Sequence, residues 1–167
     1  MMPITELLER NAHEYCHETA LVEINPEVKE VRRVTWKEYE LIESSPTESY
    51  RREISWSVFD EKANRCANLL LSRGIKKGDK VAILMMNSLE WLPVYFGILK
   101  TGALAVPLNY RYTAQEIRYC LDLADVDAIF FGPEFIGRLE EIYAKIPRVK
   151  LIFYIGDTCP RFAENYL

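Results

Sequence analysis

Two histidines are present in this chain, and they stand four residues apart in "HEYCH", His13 to His17. The pattern H-E-x-x-H serves zinc hydrolysis when both imidazoles share one helical face and the glutamate acts as base. A third ligand would then have to be Cys, Asp or Glu, and none stands at a suitable spacing. The helical pattern that starts at Ile4 also fades near Tyr15, which separates the two rings. His13 and His17 are therefore read as residues of a solvated helix end, with no metal. The four cysteines, Cys16, Cys66, Cys120 and Cys159, form no CxxC pair. They imply neither a zinc knuckle nor a disulfide framework. Cys66 and Cys120 fall on apolar helix faces and read as small core residues.

Three stretches could in principle cradle a phosphate. Gly97 and Gly102 have the outer spacing of a phosphate loop, but Ala103 and Leu104 replace the lysine and hydroxyl. The stretch also closes a helix, whereas a phosphate loop opens one. "GPEFIGRL", Gly132 to Leu139, does follow a strand and open a helix. Yet Pro133 has no N–H to give, Glu134 repels an anion, and Phe135 and Ile136 are bulky. Arg138 and Leu139 stand where lysine and a magnesium-binding hydroxyl are needed. "ESSPTES", Glu43 to Ser49, lacks glycine and lysine and reads as a loop. No G-x-G-x-x-G occurs. No catalytic, cofactor-binding or metal residue is thus assigned.

The elements that carry these stretches alternate. From Ile54 onward, helical three- and four-residue spacing gives way repeatedly to short apolar runs. Ser57 with Asp60 is expected to start a helix whose stripe is Phe59, Ala63, Cys66, Ala67 and Leu70, with Gly74 as its left-handed end. "VAILMM", Val81 to Met86, is apolar on both faces, as a central parallel strand must be. Ser88 is expected to cap the next helix, through Lys100, with Pro93 costing one hydrogen bond and bending it. "LAVPL", Leu104 to Leu108, is a second strand, and Pro107 marks it as short or near a sheet edge. Thr113 with Glu116 forms a capping box, followed by a stripe of Ile117, Cys120, Leu121 and Ala124. "AIFF", Ala128 to Phe131, is the third strand. Pro133 opens a helix whose apolar face is Phe135, Ile136, Leu139, Ile142, Tyr143 and Ile146. "VKLIFYI", Val149 to Ile155, is the fourth strand. This β-α-β-α-β-α-β order calls for an α/β fold: a doubly wound, mainly parallel sheet with helices on both faces. Ligands of such sheets bind beyond the carboxyl ends of the strands, here near Asn87, Asn109, Gly132 and Gly156.

Residues 1–53 read differently: a helix from Ile4, a strand at "ALVEI" (Ala20–Ile24), then a charged, irregular stretch, Val31 to Glu53. Within it "VTWKEY" echoes "ISWSVF" at Ile54–Phe59, as two similar strand-to-helix junctions. The division expected is 1–53, a helix, strand and charged insertion, and 54–167, the βαβαβαβ unit, together one partial domain. With 167 residues, 49% hydrophobic and 28% charged, the chain is long and apolar enough to build a core. A net charge of −4 without a long basic block argues against nucleic acid. The longest apolar run is far short of a membrane span, and the acidic "MMPITELLER" is unlike a signal peptide. A cytoplasmic location is expected.

The segment from Ile54 to about Phe135 resembles the N-terminal region of adenylate-forming (AMP-binding) enzymes, and within them acyl-CoA synthetases of the fatty-acid–CoA ligase type. "SWSVFDEKANRCANLL", "GDKVAILMMNS", "FGILKTGALAVPLN" and "TAQEIRYCLDLADVDAIFF" carry the likeness, and "NAHEYCHETALV" is similar to that family's opening segment. The resemblance implies activation of a carboxylic acid by Mg-ATP to an acyl-adenylate, then transfer to the thiol of coenzyme A. It also implies that the phosphate loop, the adenine and ribose contacts, the acyl pocket and the catalytic lysine lie past Leu167. No residue here matches a catalytic motif of the family. The chain is therefore expected to be the N-terminal part of such a synthetase, inactive alone, with ATP, Mg and CoA belonging to the whole. The rest of that protein is its expected partner. A two-fold homodimer through an exposed apolar face is expected as well, with the Ser88–Lys100 helix favoured for that face. The alternative is a self-standing flavodoxin-like binding or assembly module.

Overall fold

The computed structural model describes residues 2–36 and 39–166, with the backbone course alone over the rest of 25–50. Helix α1, Ile4–Glu14, leads into strand β1, Thr19–Trp36, which pairs antiparallel with β2, Tyr39–Ser55. Next come α2 (Trp56–Ser72), β3 (Lys80–Leu84), α3 (Trp91–Lys100), β4 (Leu104–Pro107), α4 (Ala114–Leu123) and β5 (Ala128–Phe131). A short 3₁₀ turn, Pro133–Phe135, opens α5 (Ile136–Ile142), and β6 (Leu151–Tyr154) and β7 (Glu164–Asn165) close the chain.

Strands β3 to β7 form one five-stranded sheet in the order β4-β3-β5-β6-β7, every pairing parallel. Alternation decides which face each side chain serves. Ala82, Leu84, Ile129 and Phe131 point to one face, where Ile117 and Leu121 of α4 and Leu139 and Ile142 of α5 cover them. Val81, Ile83, Phe130 and Phe153 point to the other, beneath Cys66 and Leu70 of α2 and Val94 and Ile98 of α3. A smaller cluster of Leu8, Phe59 and Ala63, flanked by Trp56 and Phe96, fastens α1 behind α2 and α3. The doubly wound parallel sheet is as the alternation requires. Pro107 does end the edge strand β4, where its missing N–H costs no ladder bond.

Local chemistry holds in several places. Thr113 and Glu116 form the reciprocal capping box, and the Thr113 donors hold the Glu116 carboxyl below its ordinary range. Gly74 and Gly102 end α2 and α3 at φ of +86° and +79°, where a side chain would be strained.

Elsewhere tertiary contacts override local signals. Ser55, not Ser57, caps α2, accepting from Val58 N at 3.3 Å. Ser57 instead donates its hydroxyl to Cys16 O at 2.8 Å, tying α2 to the turn before β1. Helix α3 starts at Trp91, with Glu90 at its cap position; Pro93 thus sits in the first turn, where its missing N–H removes no bond. Cys120 and Ile136 are only half-buried, and Tyr143 is exposed. The stretch expected to be irregular, together with "ESSPTES", forms most of β2, paired with β1. "VTWKEY" spans the end of β1 and the start of β2 and is no strand-to-helix junction; its Lys37 and Glu38 lie outside the described residues. Strand β7 has no counterpart in the sequence pattern. Its Glu164 pairs with Arg73 at the end of α2, and Tyr166 beyond it packs edge-on against Phe130, 5.4 Å between ring centres.

Candidate functional site

A doubly wound sheet leaves a crevice where its strand order reverses. Here the reversal falls between β3 and β5, because α3 carries the chain to one side of β3 and α4 carries it back to the other. Beyond the carboxyl ends of these strands and of β6 lies a cleft of about 570 Å³. Asn87 and Gly132, two of the four strand-end residues expected to flank a ligand, line it, and Gly156 lies between the lining residues Ile155 and Asp157. Asn109 takes no part: its Oδ1 accepts from Arg111 N at 2.9 Å in the turn after β4.

The walls are acidic. Among the described residues, Glu23, Glu90, Glu134 and Asp157 face the cleft with one cation, Arg52. Glu23 accepts from Leu89 N at 2.8 Å through one oxygen and lies 3.4 Å from the Arg52 guanidinium through the other. Glu90 pairs with Lys62 through Oε1, while its buried Oε2 accepts no hydrogen bond from any described residue. Burial, then the charges of Asp157, Cys159 and Glu134, push the Tyr154 phenol up from its ordinary value. Behind Glu90, burial pushes the Cys66 thiol up to about 12 and also raises the Tyr166 phenol, so both stay neutral.

This arrangement does not fit the phosphates of a nucleotide. Glu134 Oε2 stands 2.8 Å from where a Cβ on Gly132 would be, which puts a carboxylate where a phosphate would need donors. Pro133 offers no donor, and Arg138 turns away, giving Nη1 to Tyr110 O at 2.7 Å and stacking over Phe135. Gly97 is equally far from phosphate chemistry: it is buried where α3 crosses α2. Glu23, Glu90 and Asp157 carried no signal in the sequence. Successive members stand 67 residues apart; Glu90 and Asp157 come to the opening by following β3 and β6, and Glu23 comes from β1, where it accepts from Leu89 N.

His13 lies on the last turn of α1, which ends at Glu14, and His17 falls in the turn that follows. No group of three His, Cys, Asp or Glu among the described residues could hold a metal ion. We expect elemental analysis of untagged protein to find no stoichiometric zinc. One zinc per chain, lost on His13→Ala, would contradict this.

Comparison with known proteins gives the cleft its context. The AMP-binding enzyme family matches residues 8–165. A medium/long-chain-fatty-acid–CoA/3-oxocholest-4-en-26-oate–CoA ligase of Mycobacterium marinum is 32% identical over 114 residues, 68% of this chain and 21% of that protein. The long-chain-fatty-acid–CoA ligase FadD13 of Mycobacterium tuberculosis is 39% identical over 92 residues, 55% of this chain and 18% of that one. Among solved structures, the inhibitor-bound N-terminal domain of FACL13 from Mycobacterium tuberculosis superposes with a TM-score of 0.73 at 27% identity, over 93% of this chain and 34% of that one. The chain spans about a fifth of the length of these curated relatives. With the match running through nearly every element of the sheet, this chain belongs to the AMP-binding enzyme family and resembles the N-terminal domain of its fatty-acid–CoA ligases.

Proposed function

We propose that the chain is the N-terminal part of an ATP-dependent fatty-acid–CoA ligase, and that this part contributes scaffold rather than catalytic groups. Two observations carry the reading: the family match runs over residues 8–165, and the 114 residues aligned with the Mycobacterium marinum ligase take up only 21% of that protein. The whole enzyme would use ATP, Mg and CoA, forming an acyl-adenylate with loss of pyrophosphate and then a thioester with loss of AMP. The acidic cleft described above supports placing that chemistry outside this stretch. The division into residues 1–53 and 54–167, one partial domain, belongs to the same proposal, as does a cytoplasmic location. No helix among the described residues is long and apolar enough to cross a membrane. Purified chain given Mg-ATP, CoA and a panel of fatty acids is expected to release no pyrophosphate above the acid-free background. Acid-dependent release would overturn the scaffold reading.

Self-association is part of the proposal, through a different face from the one α3 suggested. No residue of α3 is exposed, because α1, α2 and the sheet cover it. Exposed apolar side chains occur on several surfaces, and three of them gather beside the cleft: Ile24 is 67% exposed, Met86 43%, and Val22 next to them 42%. Monomers seldom expose contiguous apolar area beyond roughly 300–600 Å², and one patch used twice closes a two-fold dimer. Sedimentation velocity at micromolar concentration is expected to show a dimer that Ile24→Glu with Met86→Glu converts to monomer. A wild-type monomer would refute it.

A further inference from the structure

We draw no further inference here: the strongest candidate, the acidic cleft beyond the carboxyl ends of β3, β5 and β6 with its rim of Val22, Ile24 and Met86, belongs to the site already described, and nothing in the structure shows what occupies or covers it.

Discussion

Gly97→Ala is expected to lower the melting temperature by roughly 4–8 °C, although alanine is the better helix former. A Cβ built at Gly97 meets Cys66 Cβ at 2.5 Å, Cys66 Sγ at 2.7 Å and the Ala63 carbonyl oxygen at 2.9 Å. Two of these contacts are with the backbone or with the first side-chain atom of α2, which no rotamer change can move. The helices must therefore separate, in a core packed at crystal-like density. Overpacking of this kind costs about 1–3 kcal/mol, and more where the backbone is in the way. Against it stands a propensity gain of about 1 kcal/mol. A net loss of about 2 kcal/mol gives the stated shift for a domain of this size. Gly137 is the control. It too lies within a helix, α5, but a Cβ there meets nothing within 4 Å. Gly137→Ala should stabilise by up to about 1 kcal/mol. Equal effects from the two substitutions would show that α2 and α3 are not held at contact distance by Gly97.

Lys100→Met should cost about 3 kcal/mol, read as a lower denaturant midpoint with an unchanged slope. The Lys100 side chain is only 8% exposed, yet it carries a charge. It survives burial by meeting two carboxylates: Glu9 from α1, and Asp60 from α2 at 3.0 Å. Asp60 is itself largely buried, and apart from this ion pair its Oδ1 accepts no hydrogen bond from any described residue. Its Oδ2 accepts from Asn64 Nδ2 at 2.9 Å. Removing the ammonium strands a carboxylate, and breaking a buried pair in this way costs about 3–5 kcal/mol. The lower end applies because Glu9 is exposed and can turn to water. Removing both charges is different, since apolar replacement of a buried pair is often neutral. The double variant Lys100→Met, Asp60→Leu should therefore recover most of the loss. If Asp60→Leu merely adds its own penalty, the two residues are not coupled and this account fails.

These two positions also show how much was legible beforehand. "GILKTGA" contains both Gly97 and Lys100. Its sequence shows a helix ending in a glycine cap, because φ at Gly102 is a local matter. Nothing local says that Gly97 is the contact point of two helices. Nor does anything local say that Lys100, a typical charged last-turn residue, is buried beneath α1. Both follow from which helix lies across which. The same holds for Ser57 and Pro93, whose local patterns suggested a cap and a kink. One was drawn to a carbonyl 41 positions away, and the other was placed harmlessly by a later helix start.

Legible from residues alone were the alternation of strands and helices, the central place of "VAILMM", a "LAVPL" strand that is short or near an edge, the Thr113–Glu116 box and the family likeness. These depend on side-chain period, on φ and on missing donors, which act within a few residues. The order β4-β3-β5-β6-β7 and the addition of β7 emerge only in the packed fold. It alone brought Glu23, Glu90, Glu134 and Asp157 to one cleft and turned the charged stretch into the second arm of a hairpin. The strand order and the cleft rest on long-range contacts, set in the five-stranded sheet by how helices cover its two faces, whereas the hairpin joins strands adjacent in the chain. No window of local sequence records which distant strand will lie alongside.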